Sequence, residues 1–91
     1  MDYEWDEAKA AANFLKHGVL FADAVGVFED EAALSREDPF AQDERRFVAT
    51  GLDFLGRVLT VVYTFRPRAV RLISAREATR RERHAYEQRR F

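Results

Sequence analysis

The run Val58-Leu59-Thr60-Val61-Val62-Tyr63-Thr64-Phe65 constrains the fold more than any other stretch. It is almost wholly apolar or β-branched, the mark of a strand covered on both faces. Asp53-Phe54-Leu55-Gly56 before it reads as a hairpin turn, and Pro67 after it cannot continue a central strand. Upstream, Arg46, Val48, Thr50 and Leu52 alternate with Phe47, Ala49 and Gly51, as in a half-buried strand. Downstream, Val70 to Ser74 reads as the last strand, with Arg71 pointing away from Leu72. Three consecutive strands with short turns predict an antiparallel meander.

The rest of the chain reads as cover for that sheet. Met1 to Trp5 is an expected edge strand. Asp6 is a natural N-cap for a helix that stops at Gly18. On this helix Ala8, Ala11, Ala12 and Leu15 have the spacing of a buried stripe, while Lys9, Asn13, Lys16 and His17 share the polar edge. A second helix is expected over Phe21 to Phe28, burying Phe21, Ala24, Val25 and Phe28. Ala33-Leu34-Ser35 suggests a short strand, and Arg36 to Glu44 a mobile loop. Ser74 and Glu77 have capping-box spacing, so a last helix is expected from Ala75 to about Arg89, with Ala78, Ala85 and Tyr86 as a thin apolar contact. The predicted fold is a single α+β domain over residues 1–91, a small antiparallel sheet in β-α-α-β-β-β-α order with helices packed on it.

Charge is divided along the chain. Residues 1–44 hold twelve acids and three bases, whereas residues 45–91 hold four acids and twelve bases, all arginine. Such a split points to a polyanion-binding face, or to two faces with different partners. There is no cysteine, and the two histidines, His17 and His84, lack ligand spacing, so no metal site is expected. No phosphate-binding or dinucleotide-binding glycine loop and no serine nucleophile motif is present. The acidic N-terminus without a hydrophobic signal region predicts a soluble, cytoplasmic protein.

What remains is Arg, Lys, His and Tyr around a small sheet. That set suits metal-independent RNA cleavage by the substrate's own 2′-hydroxyl, which needs proton transfer and cations around the phosphorane. Lys16 or His17 can transfer protons, and Arg66 and Arg76 can hold phosphoryl oxygens in forked contacts. In the first turn of the expected helix, Arg76 faces the positive end of the dipole, which calls for either a bound phosphate or a nearby carboxylate. Trp5 and Tyr63 can stack on bases. Tyr63 can equally be a core residue with a satisfied hydroxyl, and parity puts it opposite Arg66. Arg46, Arg71, Arg80 and Arg83 are further candidates for RNA binding. Two other readings use the same residues: a protein-binding module whose polar last helix docks a partner, and a nucleic-acid binder without chemistry.

The chain also resembles a known family. Glu4-Trp5-Asp6-Glu7-Ala8-Lys9, Asn13, Lys16-His17-Gly18-Val19 and Phe21 are similar to the BrnT toxin family. So are Val25 to Asp30, Val61-Val62-Tyr63-Thr64 and Arg71-Leu72-Ile73-Ser74-Ala75-Arg76 with Ala78, Glu82, Arg83, Tyr86 and Glu87. Glu31 departs from a frequent Pro, and the loop 36–44 is particular to this chain. The resemblance implies a RelE-like fold and a ribonuclease toxin of a type II toxin–antitoxin pair, one that cuts RNA and inhibits translation. It implies a BrnA antitoxin with a ribbon-helix-helix DNA-binding domain, in a heterotetramer that represses its own operon. It places Lys16, His17, Arg66 and Arg76 in the active site, with Trp5 and Tyr63 beside them.

Overall fold

The computed structural model describes residues 1–90. Its elements are β1 (Asp2–Glu4), α1 (Glu7–His17), α2 (Phe21–Ala24) continued by a 3-10 turn (Val25–Glu29), β2 (Leu34–Asp38), β3 (Arg46–Leu52), β4 (Val58–Arg66), β5 (Ala69–Glu77) and α3 (Arg80–Arg90). The strands form one sheet in the order β1-β5-β4-β3-β2. β2 to β5 pair antiparallel, and β1 pairs parallel with β5 at the edge. The α+β class and the edge position of β1 agree with the sequence reading. The sheet gains a full strand at β2, which takes up Arg36 to Asp38 from the expected loop.

Alternation sorts the sheet into two faces. Ala49, Leu59, Val61, Tyr63, Val70, Leu72 and Ala75 point to one face and form the core with Val19, Phe21, Ala24 and Val27. Helices α1 and α2 cover this face. α3 lies over one end of the other face, where Tyr86 is 1% exposed and donates from its hydroxyl to Asp30 at 2.5 Å. Asp30 also accepts from the Leu52 N–H, so one carboxylate ties α3 to β3. No helix among the described residues is long and apolar enough to cross a membrane.

Three expectations are corrected. The last strand runs on to Glu77, and the capping box belongs to Thr79 and Glu82, which exchange hydrogen bonds of 2.8 and 3.2 Å. Ala75 is fully buried in the core, so the chain stays extended past Ser74 and Arg76 is a strand residue. Phe21 to Phe28 is not one helix. Gly26 lies so close to the β3–β4 hairpin that an added Cβ would stand 2.5 Å from the Phe54 nitrogen, and the backbone tightens to 3-10 there. Phe28 and Val25 are half-buried, while Val27 takes the core position.

The third correction concerns the phase of α1. Its buried residue is Asn13, while Ala8, Ala11, Ala12 and Leu15 are exposed. β1 pairs with β5 only at Ala69, Val70 and Arg71, which leaves the β5 edge open further along. Asn13 fills that gap. Its amide donates to the Ala75 carbonyl at 2.9 Å and accepts from the Ala75 N–H at 3.1 Å, as a neighbouring strand would, and it also donates to the Val19 carbonyl. Satisfying these buried backbone groups outweighs burying a stripe of alanines. Replacing Asn13 by Ala leaves them unpaired and is expected to lower stability by about 3 kcal/mol in urea unfolding. A loss below about 0.5 kcal/mol, the level of a neutral surface change, would contradict this role.

Candidate nucleic-acid interface

The face opposite the core is built from the arginine-bearing strands. A bulge decides its composition. Val62 pairs with Ser74 but Tyr63 pairs with Leu72, so Ile73 is an extra residue in β5. Arg71 and Arg76 are five residues apart and would point to opposite faces of a regular strand. With the bulge, Arg71 pairs with Thr64 and Arg76 with Thr60, two β4 residues of the same parity. Both arginines therefore share the outer face.

Register places five residues in a row across this face: Asp38 opposite Arg46, and Arg71 flanked by Thr64 and Glu4. Phe47 pairs with Tyr63, which sets Arg46 beside Thr64. Arg66 lies two residues beyond Thr64 on the same side of β4. Arg46, Arg66 and Arg71 thus surround the buried Thr64, whose hydroxyl donates to the Arg45 carbonyl at 2.6 Å. Arg36 joins them from β2, in a row with Val48, Val62 and Ser74. Arg36 and Val48 line a pocket with Glu82 and Ala85 of α3, and Val48, Val62 and Ser74 are part-exposed.

Carboxylates from elsewhere in the chain hold several of these cations. Arg71 pairs with Glu4 at 2.7 Å and Arg66 with Glu44 at 2.8 Å. Arg76 donates to both oxygens of Glu82, at 2.7 and 3.0 Å, and to the Glu77 carbonyl. The carboxylate required beside Arg76 is therefore Glu82. Among the described residues Arg36 and Arg46 have no ion-pair partner. Guanidinium forks in such an array match phosphate oxygens.

The candidate residues from sequence fall into distinct places. Arg46, Arg66, Arg71 and Arg76 share the outer face, with the exposed Arg80 and Arg83 on α3 at its end. Arg66 and Arg76 are not together: they sit six strand positions apart, roughly 20 Å. Lys16 and His17 lie on α1 one turn beyond Asn13, so the helix carries them toward the β5 end that bears Arg76. Trp5 and Tyr63 are on the core side. Tyr63 is 6% exposed, packs against Phe28, Phe47 and Phe65, and shares a 2.6 Å hydrogen bond with Ser35. It is a core residue without a free ring face for a base. Trp5 packs edge-on against Phe21. Sequence reasoning missed Arg36, because its strand was read as loop; Leu34, Arg36 and Asp38 alternate with Ser35 and Glu37 in the register that reveals it.

The Arg76 guanidinium, helped by the Thr79 N–H, holds the Glu82 carboxyl down to about 2 from an ordinary value of 4.5. A depressed carboxyl contributes stability that is present above 4.5 and is lost as pH falls toward 2. Glu82 is therefore ionised at neutral pH and does not serve as a general acid. The melting temperature of the wild type is expected to fall more steeply across that acid window than that of Glu82→Gln; parallel profiles would contradict the pairing.

Comparison with known proteins agrees with this architecture. Residues 5–82 match the family model described as the ribonuclease toxin BrnT of type II toxin–antitoxin systems. No curated protein sequence matches the chain. Among solved structures the chain is similar to the Brucella abortus ribonuclease toxin BrnT, with 28% identity, a TM-score of 0.64, and coverage of 88% of this chain and 99% of that one. The chain belongs to the BrnT family, the ribonuclease toxins of type II toxin–antitoxin systems.

Proposed function

We propose that the chain is a metal-independent endoribonuclease that cuts RNA through the 2′-hydroxyl and so inhibits translation. The observation that carries this reading is the arginine array on the sheet face beside α3. RNA lies along that face with its phosphates against Arg36, Arg46, Arg66 and Arg71. Cleavage takes place at the end that bears Arg76. There the 2′-oxygen attacks the adjacent phosphorus and the bond to the 5′-oxygen breaks, leaving a 2′,3′-cyclic phosphate and a 5′-hydroxyl. Arg76 stabilises the charge that develops on the phosphoryl oxygens. Lys16 or His17, brought along the β5 edge by α1, moves the proton. Arg80 and Arg83 extend the basic surface beyond the reacting phosphate.

As a type II toxin the chain has an antitoxin partner. In this reading the partner is a BrnA-like ribbon-helix-helix protein, the pair forms a heterotetramer in the cytoplasm, and DNA is reached only through the antitoxin.

The test is cleavage of a mixed single-stranded RNA in EDTA by antitoxin-free protein. Wild type is expected to yield cyclic-phosphate ends, and Arg76→Ala to lose on the order of 100-fold in rate. Arg46→Ala is expected to weaken binding and to reduce the salt slope by about 0.7 log units per log unit of salt, the value of one lost phosphate contact on a single strand. Intact RNA with a folded wild type that still binds it would leave a binder without chemistry.

A further inference from the structure

The side of the molecule away from the arginines carries an open apolar groove between α1 and α2, of about 550 Å³. Leu15 is 87% exposed, Leu20 50% and Phe14 47%. Single exposed apolar side chains are ordinary, but adjoining ones on a grooved surface mark an interaction site. The residues that α1 gives to the groove are Glu7, Ala10, Ala11, Phe14 and Leu15. Their spacing, i, i+3, i+4, i+7 and i+8, is that of a helix face packed against another helix. This face exists because Asn13 has claimed the opposite side of α1 for the β5 edge.

We infer that the groove is the docking site for an amphipathic helix of the antitoxin, with an apolar seam flanked by Lys or Arg. Charge selects that occupant. Glu7 is the charged residue in the groove lining, and the exposed Asp6 adjoins it. Lys9 and Lys16 lie about half a turn around α1 from Glu7, away from the groove. A second copy packed through the same groove would set acid against acid. The α3 helix of a second copy is basic, but its large apolar residue, Tyr86, is buried in its own fold. A basic amphipathic helix from another chain satisfies both the apolar walls and the acidic rim.

The inference rests on the toxin–antitoxin reading and not on the RNase chemistry. It makes the antitoxin anchor and the RNA-binding arginines separate surfaces, with α1 giving Leu15 to the groove and Lys16 to the reacting end. The test uses purified cognate antitoxin of the BrnA type and measures its Kd for the intact chain and two variants. Leu15→Glu changes an exposed side chain and is expected to weaken binding by about 10- to 100-fold, as when an interface anchor is lost. Glu7→Lys is expected to weaken binding several-fold at low salt and less at high salt. Unchanged affinity in Leu15→Glu, with a melting temperature equal to wild type, overturns the proposal. So does a dimer of antitoxin-free chain that Leu15→Glu converts to monomer, because the occupant is then a second copy. RNA cleavage is followed in parallel. If Leu15→Glu cleaves like wild type yet escapes the antitoxin, the two surfaces are separate as proposed. If no variant or wild type cleaves RNA while Leu15→Glu still loses the antitoxin, the RNase reading fails and the docking site stands.

Discussion

The extra residue at Ile73 is the constraint on which the rest of the structure depends. Before it, Val70 and Leu72 feed the core; after it, Ala75 does, although Ala75 has the opposite parity. The slip turns Arg71, Ser74 and Arg76 to the same outer face and keeps Val70, Leu72 and Ala75 on the inner one. Without it, Arg76 would point into the core and Ala75 would leave it, and burying an unpaired guanidinium is far costlier than a local bend. The slip also brings Ala75 to the open part of the β5 edge, where Asn13 takes both of its backbone groups. An uncovered edge is a pairing hazard, and one amide closes it. That amide fixes the rotation of α1. The direction of the groove and the positions of Lys16 and His17 follow from it.

The sheet then separates an arginine-bearing face from an apolar one. Glu4, Glu37 and Glu44 of residues 1–44 pair with arginines of residues 45–91, while Arg36 and Arg46 have no ion-pair partner among the described residues. Strands β3, β4 and β5 carry the arginines out on one side, with Glu4, Glu44 and Glu82 interleaved to hold them apart. On the other side the helices offer apolar residues with an acidic rim. A small domain with one sheet thus has two chemically unlike surfaces. α3 spans the boundary, clamped to the body by Tyr86 on Asp30 and by Arg76 on Glu82.

Much of the fold was legible because local pattern and tertiary environment agree in the meander. Arg46 to Leu52 alternates cleanly, and Val58 to Phe65 is apolar enough to be central. The end of β5 was not legible from spacing. Ser74 to Glu77 and Thr79 to Glu82 are both capping-box patterns, and only the burial of Ala75 selects the second. For α1 the helical period was right and the phase wrong, since the alanines outvote one asparagine in any count of apolar residues. A hydrogen-bond requirement from sixty-two residues away reversed that vote. The candidate site was half visible. The arginines were named from charge, but the bulge that gathers Arg71 and Arg76 leaves no mark in the sequence. Tyr63 followed the alternative that parity allowed, in the aromatic core with Phe47 and Phe28.

The most direct test of the account is methyl NMR of the chain titrated with an RNA oligonucleotide carrying 2′-deoxy substitutions, which binds and is not cut. Val48 and Val62 are methyl-bearing residues in the middle of the arginine face, while Leu15 and Leu20 report the groove on the far side. RNA on the arginine face shifts the valine methyls far more than the two leucines. Shifts confined to Leu15 and Leu20, with Val48 and Val62 unmoved, would contradict the assignment of the two faces.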